Sequence, residues 1–249
     1  MPIKHWSRRL SLVTALLWVF VGTGAAAGPE TAWRAAIDAS DSSGLWSLLP
    51  QVDVNTAAAK GKTALMVAAS NGELALVRKL LASGAVVDQK NNGRGTALMF
   101  AAQYGRREVA RLLLEHGAGL NLQGAKGFTA LSIAVLKGHL ELVRLLLDRG
   151  ADTAVTDMHG WTPLMRAVHA GDVRMTRVLL SVGDNQAGKA GALGITPLHL
   201  AAAGGDLELV SLLLEHGASA AVTSEDGRTP VDVAAGAGHD AVVRLLHPR

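Results

Sequence analysis

The stretch Thr129–Ala151, TALSIAVLKGHLELVRLLLDRGA, reads as two short helices and a stop. Thr129 opens an apolar helix that Gly138 can end, because glycine enters the left-handed backbone region at little steric cost. From His139 a second stretch sets Leu140, Val143, Leu146 and Leu147 on one helical face and charges on the other. Gly150 and Ala151 close it, and a polar connection through Asp157, Gly160 and Trp161 leads to the next threonine.

The same pattern recurs along the chain: TALM at Thr63 and Thr96, TALS at Thr129, TPLM at Thr162, TPLH at Thr196 and TPVD at Thr229. The threonines stand 33, 33, 33, 34 and 33 residues apart, a period that marks a stacked array rather than a closed globule. Ordering one such unit costs on the order of 50 kcal/mol at about 1.5 kcal/mol per residue, while each buried Leu or Val returns roughly 1.5–3 kcal/mol. No unit stands alone, so neighbours must share one continuous apolar layer.

The motif is fullest at Gly194–Ala218, GITPLHLAAAGGDLELVSLLLEHGA. Its glycine two before the threonine, TPLHxAA core, LLL run and terminal Gly-Ala resemble the ankyrin repeat family, from Glu30 to Arg249. The resemblance implies an all-α solenoid of about seven helix-turn-helix units. It also implies that their connecting arms pair in a β-hairpin-like way and that the first helices line a concave face. Residues 28–62 read as a degenerate N-terminal capping repeat, with Trp33 and Trp46 expected to cover the first apolar face. Repeats follow at 63–95, 96–128, 129–161, 162–195 and 196–228, and 229–249 reads as the C-terminal cap. The stretch Gly183–Gly194 carries one extra residue and several glycines, which are expected to loosen the joint between units five and six.

Residues 1–27 are of another kind. A cationic start (Lys4, His5, Arg8, Arg9), an apolar run from Leu10 to Val21 and the small residues Gly24–Ala27 make up a signal peptide, with cleavage expected after Ala27. The run is too short for a spanning helix, which needs about 20 apolar residues. Ser7-Arg8-Arg9 also resembles a twin-arginine signal. Ser11 and Val13 depart from that pattern, which favours the general secretory route. A periplasmic or secreted protein, and a bacterial one, is the expectation.

The chain has 24 basic and 21 acidic residues and no cysteine. Loss of Lys4, Arg8 and Arg9 with the leader leaves 21 against 21, so the overall balance points to no nucleic-acid partner and no anionic membrane surface. A cysteine-free chain suits an oxidising compartment. No HExxH, CxxC or GxSxG occurs, and the glycines around Lys189 lack the ending of a phosphate-binding loop. No catalytic residue, metal or cofactor is therefore expected. The competing class, an enzyme or small-ligand binder, would have to use Asp157, His159 and His169. By resemblance, His199 ties one arm to the next.

What differs between units carries the expectation of function. The resemblance implies recognition through the arm residues before each threonine and the end of each first helix. The candidates are Tyr104, Lys126, Phe128, Lys137, Met158, His159, Trp161 and His169, where aromatic and basic side chains fall on variable positions of units three to five. Phe128 and Trp161 could equally form a packing ladder. Arg166 stands where the other units carry Val67, Phe100, Ile133, Leu200 and Val233; its stem is expected to pack while its guanidinium reaches solvent. The expected partner is another protein, bound by a monomer with no membrane anchor after cleavage. A narrower alternative is a periplasmic inhibitor, immunity factor or protective partner of an enzyme.

Overall fold

The computed structural model describes residues 28–182 and 186–247. The expected leader and the Gly183–Asn185 part of the insertion lie outside the described residues. The chain begins its array with α1 (Pro29–Ala39) and α2 (Ser42–Leu48). Helix pairs follow: α3 (Ala64–Asn71) and α4 (Leu74–Ala82), α5 (Ala97–Gln103) and α6 (Arg107–Glu115), α7 (Ala130–Leu136) and α8 (Leu140–Asp148). The array closes with α9 (Pro163–His169) and α10 (Val173–Leu180), α11 (Pro197–Gly204) and α12 (Leu207–Glu215), α13 (Pro230–Gly236) and α14 (Asp240–Leu246). Among the described residues there are helices and turns and no strand, and no helix is long and apolar enough to cross a membrane.

The threonine of each motif is a helix N-cap. Its hydroxyl accepts the amide three residues on, at Met66, Met99, Ser132, Met165, His199 and Asp232, which satisfies one of the free amides of the first turn. Pro163, Pro197 and Pro230 occupy the first helical position, where no intrahelical amide bond is lost. In α11 the cap is reciprocal. His199 Nδ1 accepts the Thr196 amide at 3.2 Å, which leaves the proton on Nε2 to donate to the Arg228 carbonyl of the next arm at 3.0 Å.

Alanine pairs such as Ala101–Ala102 and Ala201–Ala202 are fully buried, and their small side chains let successive inner helices pack along one another. Leu80, Leu113, Leu146 and Leu213 carry the outer row into the same core. At the N-terminal end Trp33 is completely buried and donates its indole N–H to the Thr56 carbonyl at 3.2 Å. Trp46 departs from expectation: it is 43% exposed, and Ile37, Leu45 and Leu49 cover the first apolar face instead. Its neighbour Leu45 takes the inward face of a helix only seven residues long.

Three kinds of hydrogen bond tie unit to unit. In the arms, one amide donates to a carbonyl of the preceding arm: Asn92 to Lys60, Ala125 to Gly93, Met158 to Lys126 and Glu225 to Leu193, all at 2.8–2.9 Å. These bonds are hairpin-like rungs without strand structure. In the loops, Asn55 accepts the Val86 amide, Asp88 the Gly119 amide and Asn121 the Asp152 amide. Beside the inner helices, Arg106 reaches the Ser70 carbonyl, His139 that of Gln103 and His239 that of Ala203. This last tie needs a glycine. Gly105 has φ of 65°, and a Cβ there would lie 2.7 Å from the His139 ring.

Candidate partner-binding groove

The arms and inner helices of units three and four enclose a groove of about 410 Å³. Gly93, Gly95, Gly124 and Ala125 on the arm side carry little or no side chain, so the space stays open over Phe100, Phe128 and Ile133. Tyr104 and Leu136, each 53% exposed, stand at the inner-helix side with Gln103 and Lys137. Large exposed apolar side chains brought together by separate units are the kind of surface that proteins bury against partners.

A second concavity of about 540 Å³ lies between units five and six, lined by His159, Trp161, Arg166, Leu193, Ile195 and Leu200 among others. The expected single aromatic patch is therefore divided. Tyr104, Phe128 and Lys137 share the first groove, and Trp161 and His159 face the second. Lys126 and Met158 are exposed on the arms and line neither. His169 sets its ring edge-on to Trp161, with centroids 4.9 Å apart.

Arg166 explains the division and corrects the expectation made for it. Its guanidinium does not run out to solvent; it pairs with Asp157, whose side chain is 1% exposed. It also lies over Trp161, 4.6 Å from the ring centroid, and over Phe128 at 5.8 Å, within the range of a cation–π contact. Asp157 has no free oxygen for chemistry. One oxygen accepts the His159 and Trp161 amides, at 2.8 and 3.2 Å, and the other accepts Arg166. Asp157, His159 and His169 thus form a buried turn and two exposed rings rather than an acid–base set. No cluster of metal-ligating side chains occurs among the described residues.

His116 and His216 have structural bonds. Each places Nδ1 within 2.9 Å of a carbonyl of its own helix, at Leu112 and Leu212. Leu136 and Leu193, 53% and 65% exposed, line the two concavities, which Lys126, Met158 and His169 among the eight candidates do not. Their signal is a large aliphatic residue at a variable position, which an aromatic-led search passes over.

Comparison with known proteins agrees with this architecture. The family model for ankyrin repeats matches three times, over residues 33–124, 117–189 and 182–248. Over 57 residues the chain is 47% identical to Rabankyrin-5 of Homo sapiens and 49% identical to Rabankyrin-5 of Mus musculus. That stretch is 22% of this chain and 5% of those proteins, so the likeness concerns the repeat alone.

Proposed function

Because the chain belongs to the ankyrin-repeat family, whose repeats generally mediate protein–protein interaction and are typically non-catalytic, we propose that it is an exported, monomeric scaffold that binds a protein partner through its concave side. The observation that carries this reading is the groove between units three and four, where Tyr104 and Leu136 hold apolar surface open to solvent although nothing in the fold requires it. Trp161, His159 and His169 offer a second surface beyond Arg166, with Met158 exposed on the arm between, and Lys126 and Lys137 supply charge. Export is supported by the cationic, apolar and small-residue order of residues 1–27.

Affinity capture of a partner by the exported chain tests the reading. Tyr104→Ala removes a half-exposed ring, so the thermal midpoint should stay within a degree or so while partner capture falls about tenfold, as for an interface anchor. Equal capture by both forms would remove the groove from consideration. Amino-terminal sequencing of the exported chain should begin at Gly28.

A further inference from the structure

We propose that the groove between units three and four receives a protein segment in which acidic residues flank one large apolar side chain. The inference rests on the partner-binding reading and specifies its chemistry. The groove has an apolar floor at Phe100, Phe128 and Ile133, and none of its lining residues carries a carboxylate. Lys137 lines one side, Arg94 stands between the lining residues Gly93 and Gly95, and Lys126 follows the lining residue Ala125.

The charge around the groove is segregated, although the array as a whole is balanced. Through the arms and inner helices spanning 58–71, 91–104, 124–137 and 157–169, the cations are Lys60, Lys62, Arg94, Lys126, Lys137 and Arg166. The only carboxylate there is Asp157, which is buried and paired with Arg166. The outer helices instead interleave opposite charges, as in Glu108 with Arg111 and Glu141 with Arg144. The last arm and inner helix turn acidic, with Glu225, Asp226 and Asp232 against Arg228. Like charges lining one concave wall add their fields over the space between them and attract the opposite sign.

The backbone makes the same point. Lys60, Arg94 and Lys126 hold φ of 57°, 60° and 63°, a left-handed conformation that strains any L-residue and that glycine or asparagine would relieve. Three successive arms thus keep a long cation at a strained tip beside the concave side, where a later arm holds Leu193 at φ of 60° instead. A second copy of the chain would offer Glu225 and Asp226 beside the exposed Leu193 of the preceding arm, and self-association tests that occupant.

Selection of random displayed peptides on the full chain tests the proposal. Selected sequences should carry Asp or Glu around a Leu, Phe or Trp. A selected peptide should lose about tenfold in affinity, or 1.4 kcal/mol, against the Arg94→Glu/Lys126→Glu chain, and its advantage should shrink as salt screens these exposed charges. Both substituted positions are exposed, and an unchanged thermal midpoint confirms that the chain is folded. Apolar selection with no acidic preference, or acidic peptides indifferent to the charge reversal, overturns the proposal; so does failure to select any peptide. Self-association abolished by the same reversal would make a second copy the occupant and overturn it equally. The broader reading fails separately, when the natural partner is captured undiminished by Tyr104→Ala.

Discussion

Units one to four and unit five share one core but not one set of ties. Each junction among the first four units carries an arm rung and an Asn or Asp loop clamp, and two of them also carry an Arg or His reaching the preceding inner helix. Among the described residues, the junction of units four and five has neither rung nor clamp of that kind; it is crossed by the Arg166–Asp157 pair and by Lys189, which reaches the Ala154 carbonyl at 3.2 Å. Between units five and six stand one rung and the exposed pair Arg177–Glu208 at 3.6 Å.

The cause lies in single residues. The clamp position holds Asn55, Asp88 and Asn121, then Ala154 and Gly188. The reaching position holds Arg106, His139 and His239, but Asp172 and Asp206 in units five and six. Those two turn inward to cap α10 and α12 through the Met175 and Leu209 amides. Units five and six thus strengthen their own outer helices where units three, four and seven strengthen the stack. Two hydroxyls, Thr153 Oγ1 and Thr176 Oγ1, are also buried there without a hydrogen-bond partner. The comparison teaches that repeat periodicity secures the shared core, while coupling between units is set residue by residue.

The sharpest way to break the contrast is at Arg166, the strongest polar link that the fourth arm makes with unit five. Arg166→Phe leaves Asp157 buried and unpaired and should cost about 3–5 kcal/mol, read from urea unfolding. The double change Asp157→Asn with Arg166→Phe copies Asn91 in the arm of unit two and Phe100 in unit three, where Asn91 accepts the Gly95 amide at 2.8 Å. It should recover most of the loss; a double variant as unstable as the single one would show that the pair is not what holds the turn.

Milder changes sharpen the contrast. His139→Ala and Asp172→Ala should each cost about 1 kcal/mol, but with different reach. The first removes a bond across a junction and should speed amide exchange on both sides of it; the second should speed exchange in α10 alone. If both spread alike, the distinction between stacking ties and helix caps fails. Thr176→Val replaces an unsatisfied hydroxyl by a methyl of similar shape and should raise stability by about 1 kcal/mol, whereas Thr162→Val, at a working cap, should lower it.

The smallest effect is one of pH. Hydrogen bonds from the Thr229 hydroxyl and amide hold the Asp232 carboxyl below its ordinary value of 3.8. A folded pKa below the unfolded one stabilises the fold above the unfolded value, and that contribution is lost as pH falls through the folded one. Loosening of α13 as pH falls below the ordinary value of 3.8 should follow by amide exchange or helix signal, and Asp232→Asn should abolish that dependence. The N-terminal caps at Thr63 and Thr96, followed by Met66 and Met99, should show none.

The helices were legible because the threonine, leucine and glycine positions each do one repeated physical job: capping, core filling or a left-handed stop. The site was legible only as a set of positions. Tyr104, Phe128 and Lys137 converge, but nothing in the spacing reveals that Arg166 inserts between Phe128 and Trp161 and splits the surface in two. That event depends on Asp157 standing nine residues ahead of an arginine, a pairing unique to one repeat. Trp46 shows the same limit, since which face of α2 points inward is decided by Leu45 and Leu49, not by ring size. The extra residue and glycines of Gly183–Gly194 point to a loose joint between units five and six, and Gly183–Asn185 lie outside the described residues; the missing ties among the described residues come from Ala154, Asp172 and Asp206.

The sparse ties around unit five also set how the molecule would behave as a material. Elements joined end to end act as springs in series: each carries the same load, and the softest takes most of the extension. A partner that bends or stretches the array should therefore change its curvature at units four to six. The groove between units three and four, framed by rungs and by His139 at Gln103, should keep its dimensions while the rest of the molecule yields.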